Sequence, residues 1–386
     1  MLRWDEEDVF TSSDEFFAGL LAEIKQAKHS IDLEVYIFEL DHLGQTVLSA
    51  LKEAADRGLQ VRVMVDGIGS PAWNITFLKE LEQYNVNARI YKPYPWTRLG
   101  IRFFPKMLNF WKLGTWFRRL NRRDHRKVCV IDRKVAWMGS MNVYEKLLRT
   151  YAGDNAWRET GVRVKGESVQ VLSFAFERAW MMAWAGRSRS FHLRKSNLKS
   201  IALFWKKNSL VRLNLSFYLR NLYYQDLLER FHTATHRIWI TSAYFIPSGA
   251  ILRALRVAAR TGVDVRILVP QKMDVRMVRW ITSVLLHALL KTGVKVYEYE
   301  PRILHAKTIL IDHWAIVGSS NMNHRSMIHD LEVDVVLEKE RSLENLEKYF
   351  RRDLASAKKM TLEESQTVFS FQRILGRILF FFRYWL

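Results

Sequence analysis

The chain has 386 residues, of which 49% are hydrophobic and 26% are charged, so it is long enough for two or three domains and too apolar for global disorder. Its single cysteine, Cys129, excludes an intramolecular disulfide and a cysteine-ligated zinc or iron–sulfur centre. The N-terminus is acidic, unlike a secretory signal, and no run of about 18 uninterrupted apolar residues occurs. From these features we expect a cytoplasmic chain without a membrane span.

Positive charge is concentrated in three segments, and the formal net charge of the chain is +20. Residues 92–124 carry +8, residues 187–222 carry +9 and residues 365–386 carry +3, so the rest of the chain is neutral in aggregate. Large apolar side chains, many of them Trp and Phe, are mixed with the basic residues. This mixture favours contact with an anionic membrane surface. Two alternatives stay open: a solvated basic face over packed aromatic rings, and a groove for single-stranded nucleic acid.

The order of the predicted elements occurs twice along the chain. Each copy reads as a strand, then an amphipathic helix that ends before a glycine, then a second strand. The first copy spans residues 30–65, with its helix ending before Gly58, and the second spans residues 237–269, with its helix ending before Gly262. Strand, helix and strand at this spacing predict a βαβ crossover, and therefore an α/β protein with a mixed or parallel sheet in each half.

The first copy contains an insertion that the second lacks. Tyr91 and His125 are separated by 26 more positions than their counterparts Tyr297 and His305, and the extra residues lie inside the first basic segment. A segment that is present in one copy of a repeated fold and absent from the other more often serves function than the architecture of the fold. We expect four parts: a first half at 1–190 with the basic aromatic insertion at 92–124, a basic linker at 191–222, a second half at 223–355, and an amphipathic, membrane-associated tail at 356–386.

Both halves carry the motif H-x-K-x₄-D followed by G-S-x-N. The candidate site residues are His125, Lys127, Asp132, Ser140 and Asn142 in the first half and His305, Lys307, Asp312, Ser319 and Asn321 in the second. On a strand of period two, each histidine would share a face with its lysine. A histidine beside a fixed cation suits attack on a phosphodiester, because lysine, serine and asparagine donors can bind the non-bridging oxygens. Because two intact copies of the motif occur at equivalent places in the repeat, a chance match is a poor explanation.

Asp132 and Asp312 complete the two motifs and are catalytic candidates on motif membership alone. Each lies at a predicted hairpin, however, where turn chemistry favours aspartate, so a structural role is the preferred interpretation. The two lysines offset phosphate charge, and no carboxylate cluster is visible in the sequence. We therefore expect neither a metal ion nor another cofactor.

The paired motifs resemble those of the phospholipase D superfamily. Within that superfamily, Tyr36-Ile37-Phe38, the run from Trp157 to Val164, and Ala243-Tyr244-Phe245-Ile246-Pro247 are similar to segments of short bacterial cardiolipin synthases. The similarity runs from about residue 10 to residue 350. The resemblance implies a duplicated fold of two α/β/α sandwich halves with mixed sheets, related by a pseudo-two-fold axis, and one active site at their interface.

The resemblance also implies a covalent mechanism of two displacements through a phosphohistidine. It assigns His125 as the nucleophile and His305 as the general acid and base. Glu159 and Glu332 lie 34 and 27 residues after their own histidines, and we expect each to orient that ring. The alternative for both is a surface carboxylate on a strand. Glu159 stands where the subfamily leads us to expect Asp, so its carboxylate would act from one methylene further out.

Cardiolipin synthesis is the leading hypothesis, with phospholipid substrates, an anionic membrane surface as partner, and a peripheral location on the cytoplasmic face of the cell membrane. Hydrolysis to phosphatidic acid by the same residues is the first alternative. A nuclease would explain the net charge equally well but not the tail rich in Phe and Trp, so nucleic acid is the less favoured partner. A non-enzymatic binding module is disfavoured because both motifs are intact. The sequence leaves the oligomeric state open.

Overall fold

The three basic segments lie mostly outside the part of the chain whose structure can be described. The computed structural model describes residues 3–93, 122–183, 209–273 and 276–367, except for the side chains of 276–278 and 366–367. Most of the predicted insertion and most of the predicted tail therefore fall outside the described residues. Their predicted membrane contacts stay predictions.

The first half of the described chain is built on a mixed sheet. Its elements are β1 (Glu6–Phe10), α1 (Ser13–Gln26), β2 (Ser30–Val35), α2 (His42–Asp56), β3 (Gln60–Asp66), α3 (Ile75–Gln83), β4 (Val86–Tyr91), β5 (Val128–Ile131), β6 (Val135–Gly139), α4 (Arg149–Ala152), β7 (Gly161–Lys165) and α5 (Val169–Met182). Within the described residues these strands form a seven-stranded sheet in the order β1-β7-β6-β5-β2-β3-β4. Strands β2, β3 and β4 are parallel, and the remaining pairs are antiparallel.

The second half repeats this architecture with one additional edge strand. Its elements are β8 (Val211–Leu213), α6 (Phe217–Thr233), β9 (Arg237–Thr241), α7 (Gly249–Arg260), β10 (Asp264–Pro270), α8 (Arg276–Leu290), β11 (Lys295–Tyr299), β12 (Thr308–Ile311), β13 (Trp314–Gly318), α9 (His324–Ile328), β14 (Val333–Leu337), α10 (Glu340–Ala355), β15 (Ala357–Lys359) and α11 (Leu362–Thr367). The described strands form an eight-stranded sheet in the order β15-β11-β10-β9-β12-β13-β14-β8. The crossovers joining β9, β10 and β11 are again parallel.

Local sequence signals account for the repeated βαβ units. The side chains of Asp41 and Ser248 cap the first turns of α2 and α7 by accepting backbone N–H groups, which leaves fewer unsatisfied donors at those helix ends. Gly58 and Gly262 follow the two helices with φ of +87° and +94°, a conformation that glycine adopts at least cost. The predicted helices and the mixed sheets are confirmed.

The second half begins earlier than predicted. Strand β8 pairs with β14 as β1 pairs with β7, and helix α6 then takes the place of α1. Both β8 and the first turns of α6 lie within 191–222, so the described part of that predicted linker belongs to the second sheet and its helices. Strand β15, inside the predicted tail, likewise pairs with β11. The other domain boundaries stay predictions.

The two sheets share one apolar core across the boundary between the halves. Val130 and Val162 of the first sheet belong to the same buried cluster as Ile316 and Val317 of the second. Burial of apolar surface is the dominant favourable contribution to such packing. The halves are therefore held in one arrangement, which fixes the residues at their junction. Among the helices of the described ranges, none is both long and apolar enough to cross a bilayer.

Candidate active site

Each His–Lys pair lies in a segment just before a central strand of its sheet, and not within the strand as predicted. Strand β5 begins at Val128 and β12 at Thr308, directly after the two lysines. In both segments the lysine Nζ donates a hydrogen bond to the backbone carbonyl of the histidine two residues earlier, at 2.5 Å and 2.6 Å. Each ammonium group is therefore fixed beside its histidine by this bond rather than by strand alternation.

The backbone of each histidine is bound by the opposite half of the protein. The N–H of His125 donates to the carbonyl of Leu331 at 2.9 Å. The N–H of His305 donates to the carbonyl of Arg158, also at 2.9 Å. An isolated parallel bridge lies next to each of these bonds. Because both histidine segments cross to the other half, they meet at the junction of the two sheets.

Each histidine is paired with a glutamate of the opposite half, which corrects the pairing within each half that was predicted from sequence. His125 Nδ1 lies 3.1 Å from both carboxylate oxygens of Glu332, in the second half. His305 Nδ1 lies 2.7 Å from Oε1 of Glu159, in the first half. Each glutamate had been paired with the histidine preceding it in its own half. A carboxylate at Nδ1 leaves Nε2 as the ring nitrogen available to a substrate.

The two serines contact the glutamates, whereas the sequence predicted contacts with substrate oxygens. Ser140 Oγ donates a very short hydrogen bond to Glu159, and Ser319 Oγ donates to Glu332 at 2.5 Å. Each hydroxyl also accepts the backbone N–H of the residue that follows the glutamate, at 3.0 Å and 3.1 Å. Their donors are therefore already used, and the serines hold the carboxylates that orient the imidazoles.

The two asparagines of the motifs have different surroundings. Asn142 Oδ1 accepts the backbone N–H of Ile37 at 3.1 Å, so this side chain anchors the loop after β2. Asn321 is only 3% exposed, and its Oδ1 has no hydrogen-bond partner among the described residues. A buried acceptor without a partner costs free energy unless a ligand satisfies it. The second asparagine is thus the better placed of the two to meet a substrate.

Asp132 and Asp312 are not brought to the histidines. The carboxylate of Asp132 accepts three backbone N–H groups, from residues 28–30, at 2.7–2.9 Å. The carboxylate of Asp312 accepts the corresponding groups of residues 235–237, each at 2.9 Å. Both residues have positive φ, of +52° and +47°, at the hairpin after the strand. These contacts fit the structural role that turn chemistry predicts for both residues.

Burial and positive charge lower the pKa of both imidazoles. Burial, reinforced by the charges of Lys127 and Lys307, holds the pKa of His125 well below its usual 6.5. Burial also lowers the pKa of His305, although the attraction of Glu159 opposes the shift. The pKa of Lys127 itself falls to about 7, mainly because its ammonium group is buried. That each histidine pKa depends on both lysines is consistent with one shared site.

The two glutamates differ in their tendency to be ionised. Burial raises the pKa of Glu332 to about 7, in spite of the attraction of Lys127. Burial acts in the same direction on Glu159, but the charge and hydrogen bond of His305 outweigh it and lower the pKa of this carboxyl below its usual value. Glu159 is therefore ionised at neutral pH, and it favours a proton on His305 more strongly than Glu332 favours one on His125.

Two aromatic rings beside the histidines were not predicted as site residues. The ring of Tyr36 lies 4.9 Å from that of His125, and the ring of Trp157 lies 5.5 Å from that of His305, both edge-on. Both aromatic side chains are half-buried. Their positions in segments typical of the subfamily were the signal that could have identified them.

Asn214, which lies within the predicted linker, is a buried positioning residue. Its Oδ1 accepts the backbone N–H of Glu332 at 2.7 Å, and its Nδ2 donates to the carbonyls of Ser326 and Asp330. The side chain thereby fixes the loop that carries the partner of His125. Strand β8, which precedes it, has only three residues, too few for periodicity to reveal.

The comparisons with known proteins agree with this geometry. A family model described as "Cardiolipin synthase, PLD-like domain" matches residues 20–180 and 227–354. The chain is 32% identical over 373 residues to a cardiolipin synthase of Halalkalibacterium halodurans, covering 95% of this chain and 69% of the relative. It is 30% identical over 380 residues to a cardiolipin synthase of Clostridium perfringens, covering 96% of this chain and 74% of the relative.

A solved structure has the same fold at low sequence identity. The crystal structure of a phosphatidylserine synthase of Haemophilus influenzae is similar with a TM-score of 0.69 and 13% identity, covering 99% of this chain and 93% of that one. At that identity the likeness concerns the fold alone, and it confirms the duplicated phospholipase D fold expected from the paired motifs. With the family model matched in both halves, the chain belongs to the cardiolipin synthase family of phospholipase D-like proteins.

Proposed function

We propose that this protein is a cardiolipin synthase, a phosphatidyltransferase that moves a phosphatidyl group from one phosphatidylglycerol to a second. The observation that carries the proposal is the exchange of carboxylates, His125 with Glu332 and His305 with Glu159, at the junction of two halves. A neutral His125, a His305 whose protonated form Glu159 favours, and two lysines at this junction suit a double displacement at phosphorus.

The first displacement transfers the phosphatidyl group to the enzyme. His125 Nε2 attacks the phosphorus of the donor, so that a P–N bond forms while the P–O bond to the departing glycerol breaks. His305 gives its Nε2 proton to the leaving alkoxide and glycerol is released. Lys127 and Lys307 offset the charge that develops on the non-bridging oxygens.

The second displacement returns the enzyme to its starting state. His305, now neutral at Nε2, takes the proton from the terminal hydroxyl of a second phosphatidylglycerol. The resulting alkoxide attacks phosphorus, a P–O bond forms and the P–N bond to His125 breaks. The product is cardiolipin, and His305 again holds the proton that it gives up in the next cycle.

The division of roles is supported by the unequal carboxylates. A general acid must bind a proton at the start of the cycle, and the ionised Glu159 favours the protonated form of His305. A nucleophile must be neutral, and the pKa of His125 is held well below its usual value by burial and by two lysines. The electrostatics therefore favour His125 as nucleophile, the assignment that the family resemblance implies.

The positive charge of the chain supports a location at the membrane surface. A net charge of +20 attracts a protein to anionic lipid, which would be substrate and docking surface at once. We place the protein peripherally on the cytoplasmic face of the membrane, with the basic segments 92–124, 187–222 and 365–386 as its contacts. Water exclusion by those contacts and by Tyr36 and Trp157 would favour an alcohol over water as acceptor.

Product analysis tests this function. Purified protein is incubated with vesicles of phosphatidylglycerol, and the lipids and released glycerol are quantified by mass spectrometry. We expect cardiolipin and glycerol in equal amounts, and no product from the His125→Ala variant. His236→Ala, at an exposed histidine on the surface, is the matched control and should behave as the wild type. Phosphatidic acid as the main product would instead identify a hydrolase, and cleavage of DNA without lipid turnover would identify a nuclease.

A further inference from the structure

A mainly apolar groove opens between the start of α6, helix α9 and the loop before α7. It encloses about 190 Å³ within the described residues. Its lining includes Phe217, Arg220, Tyr224, Met322, Met327 and Ile328. Apolar clefts with a few polar groups at one end are typical of sites for amphipathic ligands.

The groove is continuous with the catalytic loop of the second half. Met322, which lines it, directly follows Asn321, the residue whose buried Oδ1 lacks a partner among the described residues. The side chain of Ser326, in α9, accepts the backbone N–H of Asn321 and also contacts Glu332. The next residue, Met327, lines the groove. Helix α9 therefore separates the groove from the His125–Glu332 pair by the width of one short helix.

The mouth of the groove exposes aromatic rings to solvent. Phe217 is 84% exposed and Tyr218 is 60% exposed, and they are adjacent residues at the N-terminus of α6. Ile328, on the opposite wall, is 38% exposed. Exposed apolar side chains clustered around a cleft indicate contact with an apolar partner. Rings at the entrance of an apolar groove would enter the interfacial region of a bilayer.

One guanidinium group lines the groove, and a second is bound to the segment that leads into α6. Arg220 donates to the backbone carbonyls of Asn214, Ile328 and His329, which carry no formal charge. Arg122 donates to the carbonyl of Leu215, two residues before Phe217. The groove thus combines apolar walls with the guanidinium of Arg220, which complements a lipid with acyl chains and an anionic headgroup.

We propose that this groove binds an acyl chain of a phospholipid substrate whose headgroup lies at the paired histidines. The proposal rests on the proposed function, because it requires a lipid at those histidines. It accounts for the unpartnered Asn321 Oδ1, which would accept a hydrogen bond from a glycerol hydroxyl of the bound lipid.

Photo-crosslinking locates the chain directly. The full-length protein is irradiated with vesicles containing phosphatidylglycerol that carries a diazirine near the end of one acyl chain, and the modified peptides are identified by mass spectrometry. We expect modification of the peptides that contain Met327 and Tyr224, and its loss when excess unlabelled phosphatidylglycerol is added. Modification confined to other surfaces would overturn the proposal, whether or not the protein makes cardiolipin.

Chain-length selectivity provides the second test. Met327→Trp fills the groove, so we expect the ratio of kcat/KM for long-chain over dihexanoyl phosphatidylglycerol to fall about tenfold, while kcat/KM for the short lipid stays within about twofold. Val257→Trp, at an exposed position on α7 outside the groove, should leave the ratio unchanged. An unchanged ratio in Met327→Trp would refute acyl-chain binding in the groove. A fall in thermal stability without a change in the ratio would refute it as well, because it would mean that protein side chains already fill the groove. Absence of turnover in the wild type with either lipid refutes the proposed function instead.

Discussion

The two halves of the site have the same residue types and similar contacts but different electrostatics. His125 is 14% exposed and faces Glu332, whose pKa is raised to about 7, whereas His305 is 8% exposed and faces Glu159, whose pKa is lowered. Burial is the largest influence on both carboxyls, and the difference lies in how strongly the surrounding charges oppose it. The two halves thus supply two similar imidazoles, and under the proposed mechanism the differences in their environments would give them separate tasks.

The largest expected effect on activity comes from replacing either histidine, and the two variants should differ in the chemical step that they block. His125→Ala and His305→Ala should each lower phosphatidyl transfer by at least about 1,000-fold, because one removes the nucleophile and the other the general acid. With a phosphatidyl ester of p-nitrophenol, whose leaving group needs no proton, His305→Ala should still form the phosphohistidine. We expect a rapid burst of one equivalent of nitrophenolate and a phosphatidyl adduct on the His125 peptide.

The same experiment can reverse the assignment. His125→Ala should give neither burst nor adduct, and the exposed-site variant His236→Ala should match the wild type. A burst from His125→Ala together with an adduct on the His305 peptide would exchange the two roles. Such a result would mean that the unequal carboxylates do not decide which imidazole attacks.

A smaller effect distinguishes the glutamates through the pH dependence of stability. The folded-state pKa of Glu332 is raised from 4.5 to about 7, so the folded protein binds more protons than the unfolded chain between those values and loses stability as pH rises through them. Glu332→Gln removes this loss, and we expect the decline in unfolding free energy between pH 4.5 and 7 to shrink by about 2 kcal/mol. Urea unfolding at pH 4.5 and 7 measures it.

Glu159→Gln is the matched comparison and should have the opposite sign. The folded-state pKa of Glu159 is lowered, so its ionised form contributes stability that is present above 4.5 and is lost as pH falls through the folded pKa. This variant should therefore be less stable than the wild type at pH 7 and should retain the decline between pH 4.5 and 7. Parallel pH profiles for the two variants would contradict the inequality of the carboxyls.

The smallest effect on activity concerns the aspartates of the motifs. Asp132→Ala and Asp312→Ala each remove three hydrogen bonds to backbone N–H groups and should cost about 1–2 kcal/mol of stability, while kcat/KM changes by less than about twofold. Asp56→Ala, at the exposed end of α2, serves as the control and should change neither. A large loss of activity at unchanged stability would restore these residues to the catalytic set.

Interactions between near neighbours in the chain were predictable from sequence. The helix before Gly58, the helix before Gly262 and the strands beside them follow from apolar periodicity and from glycine's tolerance of positive φ. The turn role preferred for Asp132 was likewise a local inference. Strand β8 escaped prediction because three residues carry no readable period, and the linker boundary at residue 222 was wrong for that reason.

By itself, the sequence determined the duplicated α/β fold, the family and both His–Lys pairs, because each depends on patterns within a few tens of residues. Only the tertiary structure decided which carboxylate serves which imidazole. Glu332 reaches His125 across 207 positions and Glu159 reaches His305 across 146, whereas spacing favoured the nearer partners. Packing of the two sheets brings those pairs together, and the burial that results also sets their pKa values, a property of the folded surroundings that no local pattern encodes.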